Sequence, residues 1–355
     1  MKTLADRFRR HAEMMPPGLY RTLMFAFAEN WEADGVVAEI CRDWADAPTS
    51  AIVQLRLLAG IQRLVLTGRA PQLVRYYPNL GGTSAPEDAW PHFEPVLREH
   101  VTELRAALEI APQTNEPGRA APLLIGLFDA VRRSGLAKVR LLELGASAGL
   151  NLLVDRFYVA GDGWSAGPAD SPLRLLDAAT GPVSPQAFTI VGRRGCDLAP
   201  IDAASDEGRL RLTSFVWPHD LHRYERLRAA LDVVAAHPVT VDQAPAAEWL
   251  ADQLASVPGP GVLTVVWHSI TRQYWPTSEV TAVDSILAEA GRRMPIAHIA
   301  MESPILASDP ASDMRGYQPP LLTVRLSVPG GVLDESPVVL GTVADHGVPV
   351  RLAAV

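Results

Sequence analysis

The residues best suited to chemistry lie in the run Leu142-Glu143-Leu144-Gly145-Ala146-Ser147-Ala148-Gly149-Leu150-Asn151. A β-prone stretch ending at Leu144 and a helical stretch beginning near Ala148 leave a tight turn. Gly145 and Gly149 suit it, because glycine tolerates positive φ and lets a ligand approach the backbone. The N–H groups of the following helix would then face polar ligand atoms. On that reading Glu143, Gly145, Ala146, Ser147, Gly149 and Asn151 are binding positions. The same letters spell G-x-S-x-G, the nucleophile elbow of α/β-hydrolases, with Ser147 as nucleophile, Asp313 or Glu335 as the acid and His346 as the base. A dinucleotide-binding G-x-G-x-x-G fits poorly, because Ser147 stands where glycine is needed.

Other candidates fall at the ends of later β-prone runs. Asp197 could accept two hydrogen bonds from a vicinal diol, with Asp202 as a second choice; its plainer role is a turn or cap residue. Asp242 and Gln243 could meet a polar ring edge, or simply face solvent. In Trp267-His268-Ser269, His268 is the candidate general base, since imidazole takes up a proton near neutral pH; the alternative is a structural histidine bonded to backbone. Trp267, Ser269, Tyr274 and Trp275 could wall a pocket, although such aromatics more often sit in a core or at its rim. Glu116 and Arg119 offer opposite charges to a zwitterion, but Thr114 and Asn115 beside them are also good helix caps. Tyr77 lies in an aromatic, glycine-rich break, and Trp217 and His219 form a further polar-aromatic cluster; these are candidate substrate contacts. His219 and Asp220 lack the spacing of a metal motif, so no metal site is expected.

These residues need elements to hold them. From Phe8 to about Ile110 apolar residues recur at helical spacing, which predicts a helical cap over residues 1–111. From Val139 onward β-prone runs alternate with helical ones, the pattern of a parallel sheet wrapped by helices. The expected strands are Val139–Leu144, Phe188–Cys196, Val239–Asp242, Val262–Trp267, Ile296–Glu302, Leu321–Val328 and Val338–Ala344, the last two as an antiparallel edge. A stretch around 160–186 is too long for a strand–helix connection and reads as an insertion.

Bulk properties narrow the function. A chain of 355 residues, 48% hydrophobic and 20% charged, can bury a sizeable core. It has no run of about eighteen apolar residues and no leader-like start, so a cytoplasmic protein without a membrane span is expected. A net charge of −8 argues against a broad nucleic-acid-binding surface. A small-molecule substrate is therefore expected, and nothing in the sequence sets the oligomeric state. Cys41 and Cys196 form no CxxC pair.

Taken together, Gln113-Thr114-Asn115-Glu116, the 142–152 run, Val216-Trp217-Pro218 and Trp267-His268-Ser269 resemble a family of bacterial proteins catalogued only as a domain of unknown function. The second half is also similar to class I methyltransferases. That likeness implies a Rossmann-like seven-stranded α/β sheet over residues 112–355, and S-adenosyl-L-methionine (SAM) as cofactor. Glu143, Gly145 and Gly149 map onto the first SAM motif. The same likeness puts Asp197 on the ribose, Asp242 and Gln243 near the adenine, Glu116 and Arg119 over the amino-acid moiety, and Trp267 and His268 at the methyl donor. Class I enzymes often carry Asp or Asn with prolines at the position of His268, so the acceptor atom is not implied. The expected function is a SAM-dependent methyltransferase whose helical cap closes over the substrate. The alternatives are a serine hydrolase and a non-catalytic SAM-binding module.

Overall fold

The protein is described by a computed structural model covering residues 3–304, 318–327, 333–334 and 336–353. It divides into two compact units: one comprises the chain up to Thr114 plus Ser205–Glu225, the other Asn115–Ala204 and the chain from Arg226 onward.

The first unit is helical. Its helices are α1 (Leu4–Met14), α2 (Leu19–Glu32), α3 (Val36–Cys41), α4 (Val53–Leu66), α5 (Trp90–Glu99) and α6 (Val101–Leu108). Thr3 and Asp6 form a reciprocal capping box that starts α1. The segment Thr49–Leu66 is long and apolar enough to cross a membrane by composition alone. Here α4 instead supplies Leu57, Leu58 and Ile61 to the unit's core, and its buried Gln62 accepts a hydrogen bond from the Tyr20 hydroxyl. The sequence reading gave Ser205–Glu225 to the α/β half. In the structure α8 (Asp206–Ser214) and the loop after it belong to the helical unit. Arg63 pairs with Glu207 at 2.9 Å, the Asn79 amide donates to Pro218 at 3.2 Å, and Trp217 packs against the helical core.

In the second unit the helices are α7 (Ala120–Ser134), α9 (Leu221–Ala236, which begins in the first unit), α10 (Ala246–Leu254) and α11 (Thr277–Arg293). The strands are β1 (Lys138–Leu144), β2 (Tyr158–Gly161), β3 (Trp164–Ala166), β4 (Arg174–Leu175), β5 (Ala179–Thr180), β6 (Thr189–Asp197), β7 (Val241–Gln243), β8 (Val262–Ser269), β9 (Ile296–Glu302), β10 (Leu321–Ser327), β11 (Val338–Val343) and β12 (Val350–Leu352). Each of the seven expected strands is present. Among the described residues the main sheet nevertheless has nine strands, in the order β5-β12-β11-β10-β9-β8-β1-β6-β7. The two additions are β12 and β5. Insertion strand β5 pairs with β12 and covers what would otherwise be an open edge. The rest of the insertion forms its own three-stranded sheet, β3-β2-β4.

β7, β6, β1, β8 and β9 run parallel, and β10 to β12 follow as an antiparallel meander. The chain first winds outward from β1 to β6 and β7, then returns to β8 and β9 on the other side of β1. The winding direction reverses between β1 and β8, and ligands of open α/β sheets bind outside the carboxyl ends of the strands at such a reversal.

Helix α7 covers one sheet face. Its apolar stripe, Leu123, Leu124, Leu127, Phe128 and Val131, is buried. Gly126 permits close approach, since a Cβ there would meet Ile299 Cγ2 at 2.5 Å. On the other face α10 and α11 enclose Leu142, Leu144, Val266 and Ile296. Because side chains alternate along a strand, odd- and even-numbered residues of β8 serve different faces.

Candidate functional site

The turn after β1 is built from left-handed residues, Gly145 (φ 70°), Ser147 (φ 55°) and Gly149 (φ 74°). Gly149 is needed sterically: a Cβ would lie 2.7 Å from Val239 and 2.9 Å from Val241. The helix expected near Ala148 is replaced by a seven-residue 3-10 stretch, Leu150–Arg156, interrupted at Leu153. The turn's N–H groups are also engaged within the protein. Ala146 donates to the Cys196 carbonyl and Gly149 to the Ala146 carbonyl. Ser147 donates to Asp197 Oδ2 at 2.9 Å, while Ala148 and Leu150 donate to Asn115 Oδ1 at 3.1 and 2.9 Å. The expectation of a backbone cradle is therefore corrected: a ligand at this turn meets side chains.

Those side chains converge on the α7 face. Glu143 lies directly across the β1–β8 register from Trp267, and both are buried. Burial pushes the Glu143 carboxyl up to about 8, a rise that Asn151, Trp267 and Arg119 oppose and Asp197 reinforces. Asn151 and Trp267 direct hydrogen-bond donors at the Glu143 carboxyl, yet Glu143 Oε2, Asn151 Oδ1 and Ser147 Oγ stay buried with no partner of ordinary hydrogen-bond geometry. Buried polar atoms are normally paired, so such a cluster needs an explanation.

Around it, Arg119 Nη1 donates to the Ser269 carbonyl at 3.2 Å, at the end of β8. Glu116 is buried; its Oε1 accepts from the Gly118 amide at 3.1 Å and faces Arg226 at 3.5 Å, and its Oε2 lies 3.9 Å from His346 Nδ1. Asp197 caps locally, accepting from Ser147 and from the Ala199 amide at 2.9 Å. Beyond the turn is a cleft of about 380 Å³ whose lining includes Ala148, Ile201, Asp202, Val234 and Val241.

The structure places other candidates elsewhere. Asp242 makes a two-bond pair with Arg194 at 2.6 and 2.8 Å and accepts from Trp249 Nε1 at 2.6 Å. Arg194 holds its carboxyl below the usual range. Gln243 is exposed and donates to the Leu198 carbonyl at 3.1 Å. Tyr274 is also exposed. Tyr77 is fully buried in the helical unit, where Trp217 sits among His11, Tyr20 and His219.

His268 points to the α10–α11 face, away from Glu143. It is 1% exposed, and both ring nitrogens are engaged: Nδ1 lies 2.7 Å from Glu302 Oε1 and Nε2 lies 2.8 Å from His298 Nε2. The same Glu302 oxygen accepts from the Thr271 and Arg272 amides at 3.1 and 3.2 Å. Desolvation, with His268, Arg325 and Arg272 nearby, holds His298 well below the usual histidine range. The sequence reading missed His298. The available signal was Ile296-Ala297-His298-Ile299-Ala300-Met301-Glu302, where period-2 alternation puts His298 and Glu302 on one face.

The hydrolase constellation is not assembled among the described residues. No base reaches Ser147 Oγ, His346 lies by Glu116, and the Ala148 amide, an oxyanion donor in that mechanism, is bonded to Asn115. Asp313 and Glu335 lie outside the described residues.

Fold and site thus define an open, doubly wound α/β protein with a buried polar cluster at the point where its winding reverses. The chain belongs to a family described as an uncharacterized protein conserved in bacteria (DUF2332), whose model matches residues 5–351. No curated protein and no solved structure matches it.

Proposed function

We propose that the protein is a SAM-dependent methyltransferase acting on a small molecule, with the cofactor at the carboxyl ends of β1, β6 and β8. The observation that carries this reading is the buried, incompletely satisfied set Glu143 Oε2, Asn151 Oδ1 and Ser147 Oγ at the reversal point, with Trp267 beside Glu143. The donor set suits SAM. Glu143 and Glu116 are carboxylates for an ammonium group, Arg119 is a cation for a carboxylate, and Asp197 or Asp202 can accept from ribose hydroxyls. The cleft beside Ala148 and Asp202 gives the nucleoside an apolar wall. When bound, SAM supplies an electrophilic methyl group to a nucleophile of the substrate. This chain's residues bind, orient and exclude water; positioning is their main contribution. With its carboxyl raised to about 8, Glu143 carries a proton at neutral pH and releases it when a cation is placed beside it.

Calorimetric titration with SAM and S-adenosylhomocysteine tests the reading. Binding is expected, and Glu143→Gln should weaken it by about tenfold or more, the scale of one charge-assisted contact. Failure of both ligands to bind overturns it. Binding without transfer to any metabolite pool would favour the non-catalytic module. One observation keeps the hydrolase in view: the left-handed φ of Ser147 resembles a strained elbow. A fluorophosphonate probe is expected not to label the protein; labelling abolished by Ser147→Ala would favour the hydrolase.

A further inference from the structure

The loop leaving β8 links the Glu302–His268 cluster to the turn after β1. At one end Glu302 Oε1 holds His268, Thr271 N and Arg272 N. At the other, Thr271 lies so close to Gly145 that a Cβ on Gly145 would collide with its Oγ1. Between them Ile270 adopts φ 49°, a conformation that a β-branched residue avoids unless its surroundings impose it. The surroundings are visible: Ile270 N donates to the Met301 carbonyl at 2.9 Å, the next two amides are bonded to Glu302, and the Arg272 guanidinium is clamped by Asp284 at 3.1 and 2.6 Å.

Glu302 is itself held in place. A separation of 2.8 Å between two imidazole nitrogens requires one shared proton. One ring therefore donates to the other across Nε2–Nε2, while the His268 Nδ1 faces Glu302 Oε1. Register makes this possible: His268 stands opposite Ala300, flanked on the same face by His298 and Glu302.

We propose that Glu302, oriented by the His268–His298 pair, is a positioning residue that seats Thr271 against Gly145 and so sets the shape of the turn at the cofactor site. Its consequence for cofactor affinity rests on the SAM reading; its consequence for the turn does not. The side chain that touches the turn is Thr271, while Glu302, His268 and His298 act through it.

Hydrogen–deuterium exchange on the ligand-free, full-length protein tests this, read in peptides covering residues 268–275 and 143–150. Glu302→Ala is expected to speed exchange by about tenfold in both peptides, the effect of losing local closure. Glu302→Gln keeps an acceptor oxygen in the same place and should restore protection in both, a rescue that loss of general packing would not give. Thr271→Ala leaves the Glu302 bonds intact and should loosen 143–150 alone, which decides the matter if Glu302→Ala fails to fold. Loosening confined to 268–275, or no response of 143–150 to Thr271→Ala, overturns the proposal. Because no ligand is present, that outcome is separate from whether SAM binds. If SAM binds, Glu302→Ala should raise its Kd by about tenfold, with recovery in Glu302→Gln.

Discussion

The two faces of the central sheet hold polar clusters of opposite character. On the α10–α11 face Glu302, His268 and His298 satisfy one another and two backbone amides. Around Glu143, on the other face, Glu143 Oε2, Asn151 Oδ1 and Ser147 Oγ stay buried with no partner of ordinary hydrogen-bond geometry. A satisfied buried network rigidifies, whereas an unsatisfied one is costly unless something else completes it. The first face is closed within the protein; under the proposed function the second is where a ligand makes contact.

The largest expected effect concerns Glu143. Below its ordinary value of 4.5 both folded and unfolded chains hold the proton. Between 4.5 and about 8 only the folded protein holds it, so stability falls as pH rises and levels off above about 8. The full shift corresponds to something on the order of 3–5 kcal/mol. Urea denaturation across this range should show the fall in wild type and a flatter profile in Glu143→Gln; identical profiles would remove the contrast between the faces.

Next is His268→Leu, which removes one partner from Glu302 and leaves the buried His298 Nε2 without its partner, and should cost about 3 kcal/mol. A loss below about 1 kcal/mol would mean that the satisfied network does little for stability. Asn115→Ala removes the acceptor for the Ala148 and Leu150 amides; about 2 kcal/mol is expected in the same assay. The smallest effect is that of Asp242→Asn. Its partner Arg194 is half exposed, so the change should cost under about 1 kcal/mol. SAM affinity should be unchanged, because Asp242 is committed to Arg194 and Trp249; a marked loss would return it to the binding site.

Much of the fold was legible because strand and helix periods are local. The seven expected strands followed from β-prone runs alternating with helical ones. The edge pairing of β12 with β5 was not legible, since nothing local marks a two-residue strand such as Ala179–Thr180 as the partner of a strand far along the chain. The same limit hid the membership of Ser205–Glu225 in the helical unit.

At the site, Glu143, Gly145, Asn151 and Trp267 were found by type and spacing, and the structure brings them together. Asn115 was recognisable as a cap, but it caps a turn more than thirty residues away in sequence. Adjacent strand residues face opposite sides of a sheet, so Trp267 and His268 could have been separated from sequence alone. What could not be read was the register that sets His268 between His298 and Glu302.

The most direct test of the SAM reading is the calorimetric affinity for SAM measured from about pH 6 to about pH 9 in wild type and Glu143→Gln. If a cationic group of the cofactor lies against Glu143, wild-type affinity should strengthen as pH rises toward about 8, and Glu143→Gln should bind more weakly with no such rise. Absence of SAM binding at every pH, or equal affinity and equal pH dependence in the two proteins, would contradict it.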